Sequence, residues 1–307
     1  MRRLLLCLWL GWFSYGVGLG FAQSAMPVHQ RLPFAANQEL KHQLPGAHPT
    51  ILYHGGSVMT GANHLYAIYY GSFSATQSSI LDNFFENLGG SGGFNVNTTY
   101  YDAQGNYIQN ALAYSPATDS YYDNYSMGHT LTGHFDTELV AYAISNGHLP
   151  ADANGIYMLI TSPDVRVPLS TYCAYHWNSD NIVAGMNIKY AVAPDPPPSL
   201  YSGCSGNVAT YHDSTSPNGD IGIDSVADSL MHEISETVTD PDGTAWFTKY
   251  GLEVGDICNF IYEHTIIVPN GSHANHGFGN RDYLVQTIWE NTNTGFCAQT
   301  LATNTER

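Results

Sequence analysis

The chain has 307 residues, with 9 Lys+Arg against 26 Asp+Glu and a formal charge of -17. Its 22 Tyr and 30 Gly with only 11% charged residues describe a folded protein rather than an acidic disordered polymer. So few basic residues cannot supply the clustered Lys and Arg that nucleic acid requires, which excludes that partner, and they disfavour an anionic membrane surface for the same reason.

At the N-terminus, Arg2 and Arg3 precede an apolar run from Leu4 to Phe21, followed by the small residues Ala22, Ser24 and Ala25. This order predicts a secretory signal peptide over residues 1–22, cleaved after Ala22. No later run is long and apolar enough to span a bilayer, so the expectation is a secreted, extracellular protein with no membrane partner after cleavage. Residues 23–50, polar and interrupted by Pro27, Pro33, Pro45 and Pro49, are expected as an extended leader, and residues 51–307 as a single domain.

Within that domain, His64–Tyr70 predicts a strand ended by Gly71. A helix is expected from about Ser74 to Leu88, because Ile80, Leu81, Phe84, Phe85 and Leu88 recur at helical spacing. Ser74 is its N-cap and Gly89-Gly90 its stop. A Tyr-rich tract over Thr98–Thr130 suits strands and loops, or aromatic stacking on sugars. Asp136 is expected to cap a helix to about Ser145. Gly155–Thr161 is nearly all apolar, as in a central strand covered on both faces, and Met186–Val192 is a further strand. Alternating strands and helices give an α/β (or α+β) fold, a mixed sheet with flanking helices.

Residues 224–240, closed by Pro241, carry the chemistry. A helix capped by Asp224 would gather Val226, Ala227, Leu230, Met231, Ile234 and Val238 on one face, and Ser225, Asp228, Ser229, His232 and Glu236 on the other. His232 and Glu236 are i and i+4, one turn apart, with Glu233 beside them. Zinc hydrolases with H-E-x-x-H use two ligands so spaced, and the Glu after the first takes a proton from metal-bound water. Here Glu236 replaces the second His, which keeps the geometry because a carboxylate also binds zinc. The expected zincin-like helix supplies His232 and Glu236 as zinc ligands and Glu233 as catalytic base. Glu253 is the third ligand, with Asp240, Asp242 and Asp256 as alternatives. Against this stands a plainer expectation, that the polar face of an amphipathic helix is simply solvated.

Removal of the signal takes Cys7 and leaves Cys173, Cys204, Cys258 and Cys297. An even number in an exported chain predicts two disulfides, and order along the chain favours Cys173–Cys204 and Cys258–Cys297 among the three pairings.

Five segments in order resemble the phosphate-induced protein 1 (EXORDIUM-like) family. They are YHGGSVMTG with LYAIYYGSF (53–73), GIYMLITSPDV with TYCAYHW (155–177), MHEISETVTDP with AWF (231–247), GLEVGDIC (251–258) and YLVQTIWENTNTGFC (283–297). The resemblance implies a secreted, often cell-wall-associated protein linked to growth and stress responses. The family's H-E-x-x-E and acidic-Asp-Cys segments map onto His232, Glu233 and Glu236, then Glu253, Asp256 and Cys258. Two functions are therefore carried forward. One is a zinc-dependent, peptidase-like hydrolase with a peptide substrate. The other is a non-catalytic extracellular protein that binds cell-wall polysaccharide or a receptor.

Overall fold

The computed structural model describes residues 30–43, 50–167, 172–292 and 294–302. The expected signal peptide lies outside the described residues. A seven-stranded mixed sheet organises the molecule. Asn63–Tyr70 and Gly155–Thr161 pair in parallel at its centre, Met186–Val192 joins Gly155–Thr161 in parallel, and Ala174–Val183 returns antiparallel beside it. On the far side, Leu112–Ala113 and Ser120–Asp123 both pair with Asn63–Tyr70 in parallel.

Side-chain alternation divides the core into two layers. Leu65, Ala67 and Tyr69 face one cluster, while Tyr66, Ile68 and Tyr70 face the other. Helices Ala75–Leu88 and Ile221–Thr239 cover the first face, and helix Phe135–Ser145 covers the second. The Gly155–Thr161 strand is buried along its whole length, as its continuous apolar run requires. Ser74 caps the Ala75–Leu88 helix through a reciprocal box with Gln77, which satisfies two otherwise orphaned backbone donors.

Three local expectations are corrected. The long helix starts at Ile221, not near residue 224, and its cap is Asp220, which accepts from the Ile223 amide at 3.1 Å. Asp224 lies inside the first turn, where its carboxylate accepts from Asn218 through both backbone and side chain. Asp136 likewise lies inside its helix, whose N-cap position is His134. Within the leader, Gln30–Arg31 forms an edge strand antiparallel to Ala174–Val183, and Phe34–Gln43 is helical. Arg31 is completely buried there, because a strand edge and an acidic partner both compensate it. No helix among the described residues is long and apolar enough to cross a membrane.

Both expected disulfides are present, Cys173–Cys204 and Cys258–Cys297. The first fixes the start of the Ala174–Val183 strand. The second ties the GLEVGDIC segment to the C-terminal hairpin formed by Ile288–Glu290 and Phe296–Ala298.

Candidate functional site

The Ile221–Thr239 helix is amphipathic in sequence but buried on every side: only Ile221 of its nineteen residues is not fully enclosed. Its apolar face packs on the sheet. Its polar face does not meet water, so the expectation of a solvated acidic surface fails. The GLEVGDIC segment, the Ala174–Val183 strand and the Gln30–Arg31 strand close over it instead.

Glu233, Glu236, Asp240 and Glu253 have no solvent exposure, Asp256 is 5% exposed, and His232 and His176 are equally enclosed. His232 Nε2 lies 3.0 Å from Glu236 Oε1, one helical turn away, and 3.7 Å from Asp256 Oδ1. Glu236 Oε1 also accepts the backbone N–H groups of Gly255 and Asp256, at 3.1 and 3.0 Å. Asp256 in turn accepts the Glu253 amide at 3.0 Å. Backbone amides of the GLEVGDIC turn thus hold both carboxylates in place. On the other side of Glu236, His176 Nε2 is 3.6 Å from Glu236 Oε2 and 3.3 Å from Glu253 Oε2. Strand alternation puts His176 here: it shares a face with Ala174 while Tyr175 packs in the opposite layer.

The orientation of His232 follows from its second nitrogen. Gln286 Nε2 donates to the Gly255 carbonyl at 2.8 Å, which leaves Gln286 Oε1 to accept from His232 Nδ1 at 3.1 Å. The Nδ1 atom therefore carries the proton, and Nε2 turns its lone pair toward carboxylate oxygens. Buried Nε2 has no hydrogen-bond partner, nor do Glu233 Oε2 and Glu236 Oε2. Buried acceptor atoms left without a donor are of the kind that can serve as ligands to a cation.

Electrostatics point the same way. Burial raises the carboxyls of Glu233, Glu236, Glu253 and Asp256 well above their usual range. For Glu233, Glu253 and Asp256 the charges of neighbouring acids raise them further, Glu236 foremost. Burial also takes Asp240 up to about 6 and His232 down to about 4. Burial thus favours the neutral form of the four highest carboxyls, and a cation placed among them would favour the ionised form.

The sequence candidates are thus sorted by position. His232, Glu236 and Asp256 offer one set of donor atoms within 4.8 Å of one another, and His176, Glu233 and Glu236 offer a second. Glu253 lies against His176, whereas Asp256 lies against His232. Asp240 uses Oδ1 to accept the Thr244 and Ala245 amides, both at 2.6 Å. Asp242 accepts from Asn187 at 2.6 Å and is only partly buried. Sequence reasoning missed His176, Gln286 and Arg31. His176 stands in the TYCAYHW segment and Gln286 in YLVQTIWENTNTGFC, but nothing local marks either as facing the helix.

Arg31 adds the one buried guanidinium of the region. Its side chain donates to Ser229 Oγ at 2.6 Å, to Asn259 Oδ1 at 3.2 Å, and to Asp228 in a close ion pair. Asp228 also accepts from Tyr262 Oη at 2.8 Å and from the Gln286 amide at 2.7 Å. Meanwhile the Arg31 backbone N–H donates to Glu233 Oε1 at 3.2 Å.

Comparison with known proteins matches residues 51–300 to the phosphate-induced protein 1 conserved region. The chain is 25% identical to Protein EXORDIUM-like 3 of Arabidopsis thaliana, over 77% of this chain and 79% of that protein. It is 26% identical to Protein EXORDIUM-like 5 of the same plant, over 80% of this chain and 76% of that protein. With Protein PHOSPHATE-INDUCED 1 of Nicotiana tabacum the identity is 24%, over 82% of this chain and 87% of the relative. No solved structure matches. The five ordered segments and the match across most of the chain agree: this protein belongs to the phosphate-induced protein 1 family.

Proposed function

We propose that the protein is an exported, zinc-dependent hydrolase of the peptidase kind, whose centre stands on a zincin-like helix. His232, Glu236 and Asp256 would hold the ion, with Gln286 fixing the His232 ring. Glu253, the ligand favoured by sequence, would instead orient His176 beside Glu236. The observation that carries this reading is His232 Nε2: fully buried, without a hydrogen-bond partner, and turned toward two carboxylate oxygens. Nitrogen and carboxylate donors of this kind suit zinc. Two disulfides fit an oxidising compartment, in line with the signal-like N-terminus.

Zinc, when bound, supplies a Lewis acid that polarises a carbonyl and acidifies water. Glu233, adjacent to the ligand His232, would take a proton from the attacking water and return it to the departing amine as the C–N bond breaks. Glu233 would act as base in its ionised form, which a cation bound beside it would favour over the neutral form that burial favours.

The test is metal content by mass spectrometry. About one zinc per mature chain, lost in His232→Ala and kept in Glu233→Gln, is expected. Glu233→Gln should also lower any amide hydrolysis by about a hundredfold or more. A wild-type chain that takes up no zinc after zinc is added back overturns this function.

Complete burial of His232, Glu233 and Glu236 favours a second reading. Here the cluster is an internal polar core, and the protein acts extracellularly by binding cell-wall polysaccharide or a receptor. Polysaccharide pull-down that survives both chelation and His232→Ala would select it.

A further inference from the structure

The proposed base, Glu233, is covered by backbone from far away in sequence. Gln30 and Arg31 pair with Tyr175 and Ala174 along the outer edge of the sheet. The Arg31 carbonyl accepts the Cys173 amide at 2.8 Å, and the Arg31 amide reaches Glu233 at 3.2 Å. From residue 30 to 41, Arg31 and Asn37 are buried, Ala35, Ala36 and Glu39 are exposed, and the others are half-buried. Further anchors are the Phe34 ring edge-on to Phe260, Asn37 and Lys41 donating to the Asn259 carbonyl, the Asn259 side chain donating to the Leu32 carbonyl, and Leu40 against the core. One fully desolvated arginine within a segment that is otherwise largely half-buried is how a bound peptide is held, by an anchor residue and main-chain pairing. The segment also lies outside residues 51–300, the part matched to the family.

We propose that residues 30–37 occupy the substrate groove of this centre as an internal ligand, and that the groove takes an extended peptide presenting an arginine or lysine. The inference rests on the hydrolase reading for its functional meaning. An incoming peptide would add as a strand along the Ala174–Val183 edge, antiparallel to it, replacing Gln30–Arg31. Its basic side chain would enter the pocket of Asp228, Ser229, Asn259, Phe260 and Tyr262. Asp228 sets the selectivity, because it is the acid that pairs with the guanidinium. The Phe260 ring adds a cation–π contact at 4.8 Å. Since Glu233 has no exposure while the segment is seated, displacement of the segment is also what would admit substrate and water.

The test is fluorescence anisotropy with a labelled synthetic peptide of residues 30–37, QRLPFAAN, added to the full mature chain. Competition by the tethered copy reduces apparent affinity in proportion to its occupancy. The peptide should therefore bind the wild type weakest, the Arg31→Lys chain more tightly, and the Arg31→Ala chain about tenfold or more tighter than wild type. The same peptide with Arg31→Ala should not bind, and Asp228→Asn in the Arg31→Lys chain should abolish the gain. Arg31→Ala leaves Asp228 buried without a cation, so Arg31→Lys decides the matter if the alanine chain does not fold. Equal affinity in wild type and Arg31→Lys, or equal binding of the arginine-free peptide, overturns the proposal. Each titration is run with zinc-loaded and chelated protein. Peptide binding without zinc uptake defeats the hydrolase and keeps the groove, and zinc uptake without peptide binding does the reverse.

Discussion

At the scale of single residues, the centre depends on contacts that leave no spare volume. A Cβ on Gly255 would lie 2.7 Å from His232 Cγ and 2.8 Å from its Nδ1, well inside contact distance. Gly255 also donates its amide to Glu236 and accepts from Gln286 through its carbonyl, so it positions three members of the cluster. Gly255→Ala should therefore push the imidazole from its place and reduce zinc retention by about tenfold or more, while the circular dichroism spectrum stays unchanged. Zinc content equal to that of wild type would show that His232 does not need this placement. Gln286→Leu probes the same ring from its other nitrogen. It removes the acceptor that fixes the tautomer and should weaken metal binding in the same direction.

At the scale of elements, the two disulfides brace segments that the site draws on. Cys173 precedes the strand that carries His176, and Cys258 follows Asp256 by two residues. The bridged residues are 31 and 39 apart in sequence, loops whose closure stabilises by about 3–4 kcal/mol each in the chain-entropy account. Replacing Cys258 and Cys297 together by Ser should lower the melting temperature by roughly 10 °C. It should also reduce zinc retention, since the amides of Gly255 and Asp256 hold Glu236 in place. A melting point lowered with zinc content untouched would separate the bridge from the centre. The long helix bears the same lesson in another form. Its apolar spacing was legible, yet its polar face meets three other segments, and no periodicity within the helix could announce them.

At the scale of the whole molecule, buried acids couple stability to pH. Burial, reinforced by the charge of Asp220, raises Asp195 to about 8. A carboxyl with a folded pKa above its unfolded value stabilises fully at low pH and loses that contribution as pH climbs through the folded value. Burial takes His232 and His276 down to about 4, which acts oppositely but only below about pH 6.5. Burial also lowers Lys41 to about 8, so its influence begins only at that pH and above. Between about pH 6.5 and 8 the raised carboxyls are left to dominate, and the metal-free protein should melt at a lower temperature as pH rises. Differential scanning calorimetry of chelated protein checks the slope, and Asp195→Asn should flatten it. A melting temperature that rises across this window would contradict the sign. Added zinc should oppose the trend, because ligand carboxylates bind it only when deprotonated.

Much of the molecule was determined locally. Continuous or alternating apolar runs mark Asn63–Tyr70, Gly155–Thr161 and Met186–Val192 as strands, since burial of a strand's faces is written into its own side chains. Ser74 with Gln77 and Gly89 bound a helix by satisfying backbone groups within a few residues. Cysteine order sufficed for the disulfides, and the spacing of His232, Glu233 and Glu236 marked the helix of interest. Tertiary structure alone decided what surrounds that helix. Asp256 rather than Glu253 lies against His232, His176 arrives from a strand edge, and Arg31 crosses some two hundred positions of sequence to meet Asp228 and Glu233. Such pairings join distant segments through burial and charge, and neither quantity is encoded in the spacing of residues along one stretch of chain.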